Sequence, residues 1–228
     1  MFLYLLFAHF IADYPLQTDW VVKNKQRLEI LLLHVGTHFV VMLAVTAPHT
    51  LRLWPYLAVL TGVHFFIDVW KNWMYKVRPA WVVWPYIVDQ VFHWISIALV
   101  AAWIERAAPS ATPFLPPRVV IFALGYLLVT YVWFVSERIL AHAAPEYRKE
   151  VVCQLWQRMA ARAAWFSVFL LLFGLLPGLL SSGAAAALVL PQPYSSGKYR
   201  WRALLTDVSV ALFIALLVQA WLRGLAAG

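Results

Sequence analysis

The 228-residue chain is 64% hydrophobic and only 12% charged, with a mean hydropathy of +0.75, whereas a soluble domain carries about 25% charged residues. That composition excludes a water-soluble fold. The formal net charge of +8 does not point to nucleic acid, because the basic residues fall in short connections rather than in one stripe or tail. Cys153 is the only cysteine, so no intrachain disulfide or thiolate cluster can form, and a metal would need His, carboxylate or amide ligands.

A membrane-spanning helix takes about 20 mostly apolar residues. On that measure, spans are expected near 2–17, 29–47, 52–75, 81–105, 118–140, 160–181 and 203–223. The fold class is therefore all-α, a polytopic bundle of about seven membrane segments making a single integral membrane domain. Residues 1–106 form its four-helix, ligand-bearing half and 118–228 its scaffold helices.

The first run, Met1 to Ala12, lacks a basic leader and a small-residue cleavage site, so it is expected to stay as a helix rather than act as a removable signal. Pro48, Pro79 and Pro85, and the group from Pro109 to Pro117, punctuate the connections. Trp20, Trp54, Trp81, Trp84, Trp103, Trp201 and Trp221 stand near the ends of apolar runs, where indole rings meet lipid headgroups. Gly183 to Leu190, followed by Pro191 and Pro193, is too short to cross and reads as a re-entrant or interfacial piece.

Lys and Arg concentrate in the first connection (Lys23, Lys25, Arg27), the third (Lys71, Lys76, Arg78) and the fifth (Arg138, Arg148, Lys149, Arg158, Arg162). The positive-inside rule then places the N-terminus outside and these connections in the cytoplasm of a bacterial inner membrane. Lys198, Arg200 and Arg202 in the sixth connection run against the pattern.

Four apolar segments in the first 100 residues each carry two potential metal ligands at i and i+4: His9 with Asp13, His34 with His38, His64 with Asp68, and Asp89 with His93. That spacing puts both members of a pair on one helix face. In the proposed topology all four pairs come within roughly 6 to 18 Å of the same membrane side. Ionisable groups in a membrane cost about 2.5–3.5 kcal/mol each and normally face the bundle interior to serve a site.

Helical bundles build His/carboxylate metal centres in this way, so the eight residues are candidate ligands for zinc, manganese or iron. His64, Asp68, Asp89 and His93 are the strongest candidates. Asp13, Asp68 and Asp89 are candidate catalytic carboxylates. Gln17, Lys71 and Gln90 are candidate substrate contacts, Lys71 because an ammonium beside the site would bind an anionic group.

Blander readings stand beside these. The pairs can serve as polar glue between helices, Lys71 can snorkel to the interface, and Asp19, Lys23, Asn24 and Lys25 read best as a solvated loop. In the second half Glu137 and Arg138 end a helix and Asp207 stands alone in the last apolar run, so these helices read as scaffold or acyl-chain surface.

The ordered motifs AHFIADYPLQTDWVVKNK (Ala8 to Lys25), LLLHVGTHF (Leu31 to Phe39), HFFIDVWK (His64 to Lys71) and DQVFHW (Asp89 to Trp94) resemble the bacterial membrane-protein family known as domain of unknown function 3307. The resemblance covers about the first 100 residues. It implies an inner-membrane fold, marks the four pairs with Gln17 and Gln90 as motif positions, and supplies no reaction. More loosely, the pairing is similar to that of membrane-bound metal-dependent hydrolases.

The leading expectation is a metal-dependent hydrolase acting on a lipid or other amphiphile at the cytoplasmic leaflet, with the lipid bilayer and an amphiphilic substrate as partners and no nucleic acid. A divalent-cation or proton transporter or channel, and a structural membrane assembly factor, are the alternatives.

Overall fold

The computed structural model describes residues 1–175 and 198–227, and among them every regular element is helical. In chain order these are α1 (Phe2–Asp13), α2 (Asp19–Asn24), α3 (Leu28–Val45), α4 (Thr50–Val77), α5 (Val83–Ala107), α6 (Pro117–Leu127), a π-turn (Leu128–Val132), α7 (Trp133–Leu140), α8 (Pro145–Cys153), α9 (Leu155–Leu172) and α10 (Arg200–Ala227). They fall into two compact units, Met1–Val120 and Ile121–Gly228.

Among the described residues, five helices are long and apolar enough to cross a membrane: α3, α4, α5, the run Pro117–Ala143, and α10. The expected seven reduce to these five for physical reasons. Helix α1 stops at Asp13 rather than near residue 17, because Pro15 lacks an N–H and disfavours helical backbone at Tyr14. Its 12 residues rise only about 18 Å. The segment expected at 160–181 begins earlier, as α9, and ends at Leu172, with Gly174 at φ +67° closing it. The rest of that segment and the stretch Gly183 to Leu190 lie outside the described residues.

In the first unit α1 packs on α3 and α5, α3 on α4, and α4 on α5, closing a ring of four helices. The ring is turned inside out relative to a soluble bundle. Helix α3 buries His34 and His38 while Leu32, Leu33 and Val40 are exposed, and α4 buries His64 and Asp68 while Phe66 is exposed. Apolar side chains facing outward are what lipid as solvent requires, and polar ones then have only the interior.

Exposed tryptophans fix the level of this unit. Trp54 and Trp73 on α4 are nineteen residues apart, as are Trp84 and Trp103 on α5. That is about 28 Å of helix rise, close to the roughly 30 Å hydrocarbon thickness of a bilayer. Asp68 and Asp89 each lie five residues inside the tryptophan of the same end, Trp73 and Trp84.

The second unit carries Pro117–Ala143 from Ile121 onward, α8, α9 and α10. Gly125 marks a close approach, since a Cβ there would stand 2.9 Å from Val218 Cγ2 as well as against the Phe166 ring. Between α6 and α7 the π-turn carries fully buried Val129. Helix α8, which no apolar periodicity announced, starts with Pro145 at its first position.

Candidate metal centre

The ring of α1, α3, α4 and α5 brings all eight candidate ligands together in two layers. The i, i+4 spacing does this, because each helix contributes one residue to a layer and the next turn contributes to the other. Asp13, His34, Asp68 and Asp89 form the layer nearer the Trp73 and Trp84 end. His9, His38, His64 and His93 form the layer one turn deeper, with the His64 and His93 rings stacked at 4.1 Å and those of His9 and His93 4.9 Å apart. Seven of the eight are buried, and the Asp13 side chain is only 9% exposed.

The tightest grouping lies across the layers. His34 Nε2, His64 Nε2 and Asp68 Oδ2 are mutually 3.4 Å apart, and Asp13 Oδ1 stands 3.2 Å from both His34 Nε2 and His38 Nε2. Asp68 Oδ2 is buried with no hydrogen bond to satisfy it, and the same holds for Asp89 Oδ1, His9 Nε2 and His93 Nε2. His93 Nε2 and Asp89 Oδ1 face each other at 3.4 Å, as do His9 Nε2 and Asp13 Oδ2. Leaving a buried polar atom unsatisfied costs about 1–3 kcal/mol, so four in one cluster require an explanation.

Two ammonium groups close the outer side. Lys71 Nζ lies 2.6 Å from Asp89 Oδ2 and 3.7 Å from Asp68 Oδ1, so it turns into the site instead of snorkelling outward. Lys25 Nζ lies 3.1 Å from the same Asp68 Oδ1. Lys25, expected in a solvated loop, is only 7% exposed. It is carried inward by the chain after α2, whose N-cap Thr18 accepts from Val21 N at 3.4 Å. The Asn72 amide donates to the Lys25 carbonyl at 2.9 Å and pins that turn.

The candidate substrate contacts also sit in this outer shell. The Gln17 amide orientation that satisfies both its ends donates to the Asp13 carbonyl at 3.3 Å and accepts from Lys25 Nζ at 3.1 Å. Gln90 donates to Asp89 Oδ2 at 3.0 Å and accepts from Tyr14 at 3.2 Å. Lys25, Tyr14 and Asn72 are members of the site that the i, i+4 pattern does not reveal. Only Asn72, one turn beyond Asp68, carried a sequence signal.

On its inner side the histidine layer borders a cavity of about 10 Å³, closed by Leu5, Met42, Leu60 and Ile97. Ser96, which also lines it, donates its hydroxyl to the His93 carbonyl at 2.8 Å. The polar column thus has an open, charged outer end and an apolar floor.

Residues 1–121 match the profile of the family described as "Protein of unknown function (DUF3307)". The chain belongs to this family. The DUF3307 match ends where the first unit does, so the whole ligand cluster lies within it. No curated protein and no solved structure matches the chain.

The second unit holds a different polar cluster, and it corrects the reading of Asp207 as a lone residue. Arg158 and Arg162, counted from sequence among the connection charges, are buried on α9. Arg158 forks onto Asp207 at 2.6 and 3.1 Å, and Arg162 reaches Asp207 at 2.9 Å. Arg158 also meets Glu137 at 2.9 Å, and Tyr147 donates to Glu137. Arg162 Nε donates to the Val129 carbonyl in the π-turn at 2.7 Å. A buried arginine needs carboxylates that apolar periodicity does not register, and these come from three helices.

Proposed function

We propose that the DUF3307 portion holds one divalent metal ion and is a hydrolase centre acting on a lipid or other amphiphile from the cytoplasmic leaflet of a bacterial inner membrane. The observation that carries this reading is the 3.4 Å triangle of His34 Nε2, His64 Nε2 and Asp68 Oδ2, one corner of which has no hydrogen bond. Zinc bound at about 2.0–2.1 Å by tetrahedral N and O ligands has ligand–ligand edges of about 3.3–3.4 Å. Three mutually equidistant atoms at that spacing match one face of such a site, with Asp13 at the next corner. Manganese or iron accepts the same ligand types.

Formal charge supports one ion rather than two. Asp13, Asp68 and Asp89 against Lys25 and Lys71 leave the cluster at −1 with neutral imidazoles. One divalent cation reverses this to +1, whereas two would leave +3 in a low-dielectric interior, which is costly.

The ion would supply Lewis acidity, polarising an ester and lowering the pKa of a water. The protein's own groups do the rest. His38 donates to Asp13 and fixes that carboxylate. Lys71 and Gln90 hold Asp89 by Oδ2 and leave Oδ1 to accept a proton from the attacking water. Against divalent-cation or proton transport, the apolar floor of Leu5, Met42, Leu60 and Ile97 supports a one-sided site with no polar relay beyond it.

The test is metal content. Protein purified in mild detergent without a histidine tag should carry about one equivalent of zinc, manganese or iron by mass spectrometry, and a His64→Ala/Asp68→Ala variant that still elutes as a monodisperse species should carry none. A wild type that takes up no metal after reconstitution with all three would sink the reading.

A further inference from the structure

We infer that the substrate of this centre is a phosphodiester monoanion, the group that links the two alcohols of a phospholipid headgroup. The inference rests on the single-metal reading above and adds the chemical class of what the metal acts on.

The first support is the arrangement of the two lysines. Asp68 presents Oδ2 to the histidine triangle and Oδ1 to both ammonium groups, at 3.1 Å from Lys25 and 3.7 Å from Lys71. One carboxylate therefore joins the metal-binding face to a pair of cations. An ammonium has three donors. Lys25 uses two within the site, on Asp68 and Gln17, and Lys71 uses its short contact on Asp89. Each keeps a donor for a further anion beside the ion, which is the arrangement that recognises non-bridging phosphoryl oxygens.

The second support is charge. With one divalent cation the cluster stands at +1, which a phosphodiester monoanion brings to neutrality. A carboxylic ester would leave the positive charge uncompensated, and a dianionic phosphomonoester would overshoot to −1. Inside a membrane protein, where charge is poorly screened, that balance discriminates among substrates.

The third support is depth. The least buried members of the cluster are Lys71, Lys25 and Asp13, at 13%, 9% and 9% of side-chain exposure, against 2% or less for His34, Asp68 and Asp89. Access is therefore from the lysine end. That end is ringed by exposed Trp20, Trp73, Trp81 and Trp84, and indole rings settle at the headgroup level. The open end of the site thus lies in the plane occupied by lipid phosphodiesters, and exposed Leu16 and Val22 beside α2 offer an apolar flank to the adjoining chains.

Hydrolysis of such a substrate consumes one water. Its oxygen bonds to phosphorus, the bond from phosphorus to one ester oxygen breaks, and one water proton passes through Asp89 to that oxygen. The products are a phosphomonoester and a free alcohol, and nothing is oxidised or reduced.

The experiment uses the full chain in an uncharged maltoside detergent, loaded with zinc, with metal content and calorimetric binding measured on the same samples. Diethyl phosphate, dihexanoyl-phosphatidylglycerol, monomethyl phosphate and dioctanoylglycerol are the probes. Both diesters should bind, the lipid more tightly if the apolar flank contributes, and the monoester and the neutral ester should bind more weakly by about tenfold or more. Lys25→Gln and Lys71→Gln should each weaken diester binding by about tenfold or more while keeping their zinc, which also reports that they fold.

Stoichiometric zinc with no preference for diesters, or with diester binding unchanged in both lysine variants, would overturn this inference and leave the metal centre standing. Zinc absent from the wild type would overturn both.

Discussion

The two units each bury a set of charges, but they do so to opposite ends. In the second unit Arg158 and Arg162 face Glu137 and Asp207, so the charges cancel and all four carboxylate oxygens are engaged. In the first unit three aspartates face two lysines, and Asp68 Oδ2 and Asp89 Oδ1 remain without hydrogen bonds. A structural cluster is complete in itself, whereas a functional one leaves valences for something else. The comparison identifies the first cluster as the chemical site more securely than the number of histidines in it.

The sharpest way to break the comparison is to make the second cluster incomplete. Asp207→Ala strands two buried guanidinium groups, and removing one partner of a buried ion pair costs about 3–5 kcal/mol. Thermal unfolding in detergent should show the largest loss of any variant named here. The metal content of whatever folds should be unchanged, and loss of metal with Asp207 would merge the two clusters' roles.

Next comes the effect of completing the first cluster. Zinc at about 100 times its dissociation constant should stabilise the wild type by about 2.7 kcal/mol. Asp68→Asn, which replaces the carboxylate shared by the triangle and the lysines, should abolish that gain, so that unfolding with and without zinc coincides. A zinc-dependent shift of wild-type size in Asp68→Asn would remove Asp68 from the site.

A smaller effect tests whether the second cluster depends on tight apolar packing around it. Gly125→Leu drives a side chain into Phe166 and Val218, and overpacking of this kind costs about 1–3 kcal/mol. Its unfolding midpoint should fall by less than that of Asp207→Ala, and a midpoint equal to wild type would mean that the packing yields freely.

The smallest effect belongs to an ion pair that neither cluster contains. Lys198 donates to Glu146 at 3.1 Å at the exposed start of α8, and this hydrogen bond and charge hold the Glu146 carboxyl below its ordinary value of 4.5. What the pair contributes is therefore present above about pH 4.5 and is lost as pH falls through the depressed value. Being fully exposed, the pair should be silent in unfolding experiments, so Lys198→Ala should leave the midpoint unchanged while raising the Glu146 titration toward 4.5 by NMR.

Much of the first unit was legible because its signals are periodic. Apolar runs of spanning length gave α3, α4 and α5, and the i, i+4 pairs marked all four ligand-bearing faces. The tightest atoms nevertheless include His34, where sequence favoured Asp89 and His93, because spacing along one helix says nothing of how neighbours rotate about their axes. Lys25 escaped for a similar reason. It reaches the site through a turn set by Thr18 and pinned by Asn72, and no periodicity runs through a turn. Arg158 and Arg162 were misplaced because a hydropathy window treats arginine as a boundary, while a buried arginine depends on partners far along the chain.

The π-turn at Leu128–Val132 has a consequence for tolerance to insertion and deletion. Such a turn amounts to one surplus residue in an α-helix, and each residue turns the helix by about 100°. Everything from Trp133 onward is therefore set at an azimuth that a regular helix would miss by that amount, including the Glu137 carboxylate that meets both arginines. Removing a single residue from this stretch would restore the shorter hydrogen-bond register and swing Glu137 toward lipid. In most of a membrane span a one-residue deletion is absorbed by small shifts in tilt or depth. Here it would be felt as the loss of a charge partner, and the second unit carries in its backbone a phase adjustment that its side chains require.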